Sequence, residues 1–144
     1  TTLWLQGYPA QAKVRALRAA NDAERTNHPL SLSNALAAIT VLLWTGELHA
    51  AEQHLDWLVS RAQTQYFRPY LDLGRAFEAE LTIRRGDIAA GVETLGHCLE
   101  NLHAAGFGRF TARLNIFYAR GLAASGRFTE GLALIDQTMQ SIEA

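Results

Sequence analysis

The stretch Gly46-Glu47-Leu48-His49-Ala50-Ala51 decides the fold, because its pattern returns three times along the chain. The other copies are Gly7-Tyr8-Pro9-Ala10-Gln11-Ala12, Gly86-Asp87-Ile88-Ala89-Ala90-Gly91 and Gly126-Arg127-Phe128-Thr129-Glu130-Gly131. The leading glycines stand 39, 40 and 40 residues apart. Self-similarity at a fixed period of this size marks a repeat array, in which each repeat buries its apolar face only by stacking on the next. Glycine suits the turn between two helices because it accepts positive φ at little cost. Two positions on, Leu48, Ile88 and Phe128 staple the turn, with Pro9 in that place in the first copy. Five positions on, Ala12, Ala51, Gly91 and Gly131 leave room for a neighbouring backbone.

Outward from each turn the periodicity is helical. Leu48, Leu55, Leu58 and Val59 follow one glycine, and Ile88, Val92, Leu95, Leu99 and Leu102 follow the next, at the spacing of a second helix in a hairpin. First helices are expected at Ser31 to Thr45, Pro69 to Arg85 and Arg109 to Ser125, with Ser31 or Asn34 as caps and Pro69 in a first turn. Breaks fall at Asn27-His28-Pro29, Tyr66-Phe67-Arg68 and Gly106-Phe107-Gly108, in the same register as the turns. No segment alternates with period two, so the chain is expected to be all-α. Seven helices and a stub, Thr1 to Gln6, should form one domain, residues 1–144, with repeats of roughly 1–28, 29–67, 68–107 and 108–144. The expected architecture is a right-handed solenoid of helical hairpins with a concave face and a period of about 40 residues.

Of the 144 residues, 49% are hydrophobic and 19% charged, which suffices for a continuous core. A net charge of -1 gives no bulk attraction to nucleic acid or to an anionic membrane. The nearly apolar run Ala35 to Trp44 is about half of the roughly 20 residues that a membrane helix needs. A lone cysteine, Cys98, and the lack of a signal-like N-terminal segment lead to a cytoplasmic expectation. The chain starts at Thr1 and reads as part of something longer. An uncovered helix face at its start would favour a homo-oligomer.

The turn pattern Gly-x-[Tyr/Phe]-x-x-Ala resembles that of the tetratricopeptide repeat, and the resemblance covers the whole chain. Two departures stand out. The period is nearer 40 than the family's usual ~34, and Ile39 occupies the mid-helix position that Ala79 and Ala119 fill in the later repeats. Segments such as Asn27-His28-Pro29-Leu30-Ser31-Leu32 and Leu43-Trp44-Thr45-Gly46-Glu47 resemble the C-terminal helical arrays of bacterial ATPase-containing transcriptional regulators, MalT-like activators and ATPase-linked nucleotide cyclases. This resemblance implies an array that senses or relays a signal while other domains bind ATP or DNA.

In tetratricopeptide arrays ligands lie along the surface of the first helices. The corresponding positions here include Thr40, Trp44, Glu80, Arg84, Arg113 and Arg120. Arg113 and Arg120 are seven apart and share a helix face, and arginine's planar fork pairs with carboxylates at two points. These residues are expected to bind a partner's carboxylate or an acidic helix. The same charges also read as solvated ion pairs worth about 0–1 kcal/mol each, in which case Arg113 and Arg120 are dispensable for stability. Trp44 reads equally as packing at a helix end.

No catalytic constellation emerges. His49 and His54 are five apart and diverge by about 140° on a helix, so they read as surface histidines rather than as a metal pair. Cys98 reads as a buried small hydrophobe, and Gly106-Phe107-Gly108 as a hinge rather than a nucleotide loop. Lys13, Arg15 and Arg18 share their helix with Asp22 and Glu24, which makes a solvated face and not a nucleic-acid site. The sequence therefore leads to a non-enzymatic interaction or regulatory module of a bacterial signalling or transcriptional regulator, without cofactor or metal. It would bind a protein or another domain of its parent on the concave face. The alternative is a small-molecule effector-sensing domain of a MalT-like activator.

Overall fold

Six helix ends among the described residues are closed by one device. At Gly46 the backbone N–H donates to Leu43 O at 3.4 Å and the next N–H, of Glu47, donates to Leu42 O at 2.9 Å. This paired closure needs a left-handed residue after the helix. The same pair recurs at Gly7, Tyr66, Gly86, Gly106 and Gly126, with φ between 56° and 102°. From Gly46 onward these stops stand 20 residues apart.

The structure, a computed structural model, describes residues 2–26, 28, 30–107 and 111–143. Among them it contains eight helices and no strand: α1 (Thr2–Leu5), α2 (Pro9–Arg25), α3 (Ser31–Thr45), α4 (Leu48–Thr64), α5 (Arg68–Arg84), α6 (Ile88–Ala104), α7 (Ala112–Ala124) and α8 (Phe128–Glu143). Of the expected breaks and helix starts, Asn27, Pro29, Gly108 and Arg109 lie outside the described residues, as do Thr1 and Ala144. None of the described helices is long and apolar enough to cross a membrane. Contacts cluster into two compact units, Thr1–Leu71 and Asp72–Ala144, with the boundary inside α5.

In the N-terminal unit α1 packs on α2, α2 on α3 and α3 on α4. Helix α2 buries Ala12, Ala16, Ala20 and Ala23, a narrow stripe of methyl groups. Helix α3 lies against both α2 and α4, so it buries residues around much of its circumference, including Leu32, Ala35, Ile39, Val41 and Leu42. It spans the expected residues, but its cap differs from expectation. Neither Ser31 nor Asn34 caps it; the residue before the helix is Leu30, whose N–H donates to His28 Nδ1 at 3.2 Å, while Ser31 Oγ accepts from His28 N at 3.3 Å. The turn folds back on the imidazole, and the serine hydroxyl faces the turn instead of the helix N–H groups.

In the C-terminal unit α6 packs on α7 and α7 on α8. Helix α6 is capped by Asp87, whose carboxylate accepts from Ala90 N at 3.3 Å, and buries Val92, Leu95, Leu99 and Leu102. Between α7 and α8, Asn115 Nδ2 donates to Thr138 Oγ1 at 3.1 Å. The small residues five positions after the turns do mark close approaches. A Cβ on Gly91 would stand 2.9 Å from Ala79 O and 2.4 Å from Ile83 Cγ1, and one on Gly131 would stand 3.0 Å from Ala119 O.

Gly91→Ala therefore sets a helix-propensity gain of about 1 kcal/mol against a clash with fixed backbone, and the clash wins. Urea unfolding should show a net loss of about 1–2 kcal/mol. Tyr66 is the non-glycine among the six left-handed stops, and 94% of it is exposed. Tyr66→Gly removes a steric cost of about 1 kcal/mol and loses no packing, so the same assay should show a gain of that order.

Candidate functional site

Leu73, Ala76, Phe77 and Glu80 fall at the i, i+3, i+4, i+7 spacing of one α5 face, and all four are buried. The face that buries the apolar three thus carries a carboxylate to a position with no exposure at all. Burying an isolated carboxylate is costly, so it is held by cations. Arg84, one turn on, donates from Nε at 3.0 Å and from Nη2 at 2.8 Å to Glu80 Oε1. Arg113 of α7 brings Nη2 to 2.7 Å from both carboxylate oxygens, with its hydrogen bond directed at Oε1. Burial pulls the Arg113 guanidinium below the usual arginine value, and Glu80 pushes it back up.

Two phenylalanines complete the cluster. The Arg113 guanidinium lies 4.9 Å from the centre of the Phe77 ring, while Arg84 and Arg120 lie 5.1 and 5.7 Å from that of Phe117. A guanidinium over a ring face is attracted by the ring quadrupole. Two arginines thus hold one carboxylate and a third shares the Phe117 ring with Arg84, and these four charged groups together carry net positive charge. Side-chain accessibility rises outward from zero at Glu80 to 23% at Arg113 and 30% at Arg84, with Arg120 exposed. Among the described residues, Glu80 Oε2 and Arg113 Nη1 are buried without a hydrogen-bond partner.

Four of the six residues singled out from the sequence therefore meet in the C-terminal unit. Thr40 and Trp44 belong to the N-terminal unit and do other things there. The Thr40 hydroxyl donates to Leu36 O within its own helix at 2.9 Å. Trp44 packs against Trp4 with ring centroids 6.1 Å apart, a pair separated by one repeat period in sequence. Sequence reasoning missed Phe117, although its position four residues after Arg113 and three before Arg120 puts all three on one face of α7. It also treated Arg113 as dispensable for stability. The structure corrects that expectation, because Arg113 is partly buried and bonded to a carboxylate that has no access to water.

A second correction concerns His54, which is buried rather than on the surface, with Nδ1 2.5 Å from Glu24 Oε1. It shares the packed side of α4 with Ala51, Leu55 and Leu58, the three-residue step from Ala51 placing it there. Cys98 is buried, as its place on the α6 apolar face implies. Among the described residues no three His, Cys, Asp or Glu side chains are grouped to hold a metal ion. The N-terminal unit also contains an open groove of about 710 Å3 along α2 and α3, with six alanines among its sixteen lining residues and Arg15, Asp22, His28 and Asn34 among the polar ones. No protein-family profile, curated protein or solved structure shows a significant match to this chain.

Glu80→Ala leaves Arg84 and Arg113 without their counter-charge and should cost about 3–5 kcal/mol in chemical denaturation. The double replacement Glu80→Leu with Arg113→Leu removes both buried charges and should recover most of that loss.

Proposed function

We infer that the chain is a non-catalytic, tetratricopeptide-like interaction module that receives an acidic segment, from a protein partner or from another domain of its parent, on the arginine face of its C-terminal unit. One observation carries the reading: the buried Glu80 carboxylate neutralises only one of the cations gathered around it, while Arg84 and Arg120 flank Phe117 with accessible guanidinium groups. Guanidinium groups whose planes are fixed by a ring and a buried acid lose little freedom on meeting a carboxylate, which favours two-point pairing. Positions on first helices, as the tetratricopeptide resemblance implies, are where such a segment would lie. A role in a bacterial signalling or transcriptional regulator rests on that resemblance alone. The open form of the groove in the N-terminal unit favours protein binding over the enclosure of a metabolite.

Calorimetry with a glutamate-rich peptide and a lysine-rich control of equal length provides the test. The acidic peptide should bind and the basic one should not. Arg120→Ala, at the exposed member of the cluster, should weaken binding about tenfold, about 1.4 kcal/mol, while the fold stays intact by circular dichroism. Equal affinity in this variant would remove this surface from consideration.

A further inference from the structure

Helix α8 leaves a bulky apolar stripe in solvent. Phe128, Leu132 and Met139 are 63%, 68% and 52% exposed, and with the half-buried Ile135 they follow the i, i+4, i+7, i+11 spacing that lines one side of a helix. Gly131 and Thr138, by contrast, are buried on the adjoining side, where α8 meets α7. Contiguous exposed apolar surface of this kind marks a contact site. The groove of the N-terminal unit has the opposite relief. Of its lining, Ala12, Ala16 and Ala23 of α2 and Val41 of α3 are buried small residues, Ala19 and Ala37 are exposed, and Leu3 and Leu30 stand beside them.

Charge separates the two surfaces further. Helix α8 contains no lysine or arginine, and its acids include Asp136, which is exposed beside the apolar stripe, and Glu130, which is clasped by Arg127 at 2.6–2.7 Å. On α2, Lys13 is paired with Glu47 and Arg25 with Asp22, whereas Arg15, on the groove wall, and Arg18 are exposed and have no ion-pair partner among the described residues. The two helices are also matched in length, 16 and 17 residues, or about 24–26 Å each.

We propose that the α8 stripe of one copy of this chain docks into the α2–α3 groove of a second copy, with Asp136 directed to the arginines of α2. Large side chains enter a groove with small ones in its lining, and an acidic helix meets a basic one. Symmetric pairing of two α8 stripes would set bulky residues against bulky residues and acid against acid. Because stripe and groove are different surfaces, the contact is head-to-tail, and each assembly still offers one free stripe at one end and one free groove at the other. Such a contact grows open chains rather than closing on a dimer.

Complementary variants test this directly. Leu132→Glu spoils the stripe, and Ala19→Glu places a negative charge in the groove; both positions are exposed, so folding is preserved and is checked by circular dichroism. Neither residue belongs to the arginine face, so the outcome is independent of acidic-peptide binding. In sedimentation velocity the unmodified 144-residue chain should show a mass that climbs with concentration through a series of oligomers. Each variant alone should remain monomeric. An equimolar mixture should form a one-to-one dimer and nothing larger, because one good stripe and one good groove remain. A monomeric unmodified chain, a mixture that stays monomeric, or an Ala19→Glu variant that still dimerises through α8 would overturn the proposal.

Discussion

A left-handed residue every twenty positions is the constraint from which this molecule is built. Gly46, Tyr66, Gly86, Gly106 and Gly126 each end a helix with the same two hydrogen bonds, so α4, α5 and α6 all run 17 residues, and α7 runs 13. Helices of similar length with one apolar side can cover each other in order, and most observed contacts run between sequence neighbours, with α2 also touching α4. What the turns do not supply is close approach. Gly91 and Gly131 supply that by omitting a side chain where the previous helix presents its backbone.

Inside that frame Glu80 is a costly choice, and the cost is informative. A carboxylate with no exposure needs its arginines, yet a buried ion pair adds little stability over apolar side chains of similar volume. Apolar residues would have served the core of the C-terminal unit as well. What Glu80 adds is order at the surface: it fixes Arg84 and Arg113, and through Phe117 the cluster extends to Arg120. A flexible arginine loses rotamer freedom on binding, whereas one already held loses less. The anchor lies inside and its effect is felt outside.

The turns were legible in the sequence because glycine is chemically singular at positive φ, and the small residues after them because a repeat makes their recurrence visible. Tyr66 has no such signature, yet the register of its neighbours placed a break at Tyr66-Phe67-Arg68. The candidate site was legible as a group of charges on first helices but not as a layered cluster. Glu80 reads as a surface acid until its place on the Leu73, Ala76, Phe77 stripe is counted, and then burial follows from periodicity. His54 was misread for the same reason, since histidine was weighed for metal spacing and not for the face it shares with Ala51 and Leu58. The bounds of α3 were legible but its cap was not, because serine is a usual cap and nothing local in the sequence announces that an imidazole takes the Leu30 N–H instead.

The central claim is that a preordered arginine face meets carboxylates, and arginine side-chain NMR reads it most directly. With the Nε–Hε groups assigned, Arg84 and Arg113 should give sharp, dispersed signals in the free protein, as groups fixed by Glu80 would. Adding an acidic peptide should then move Arg84 and Arg120 and leave the exposed Arg15 and Arg18 in place. Averaged signals for Arg84 and Arg113 in the free protein, or peptide-induced shifts spread evenly over all arginines, would contradict the account.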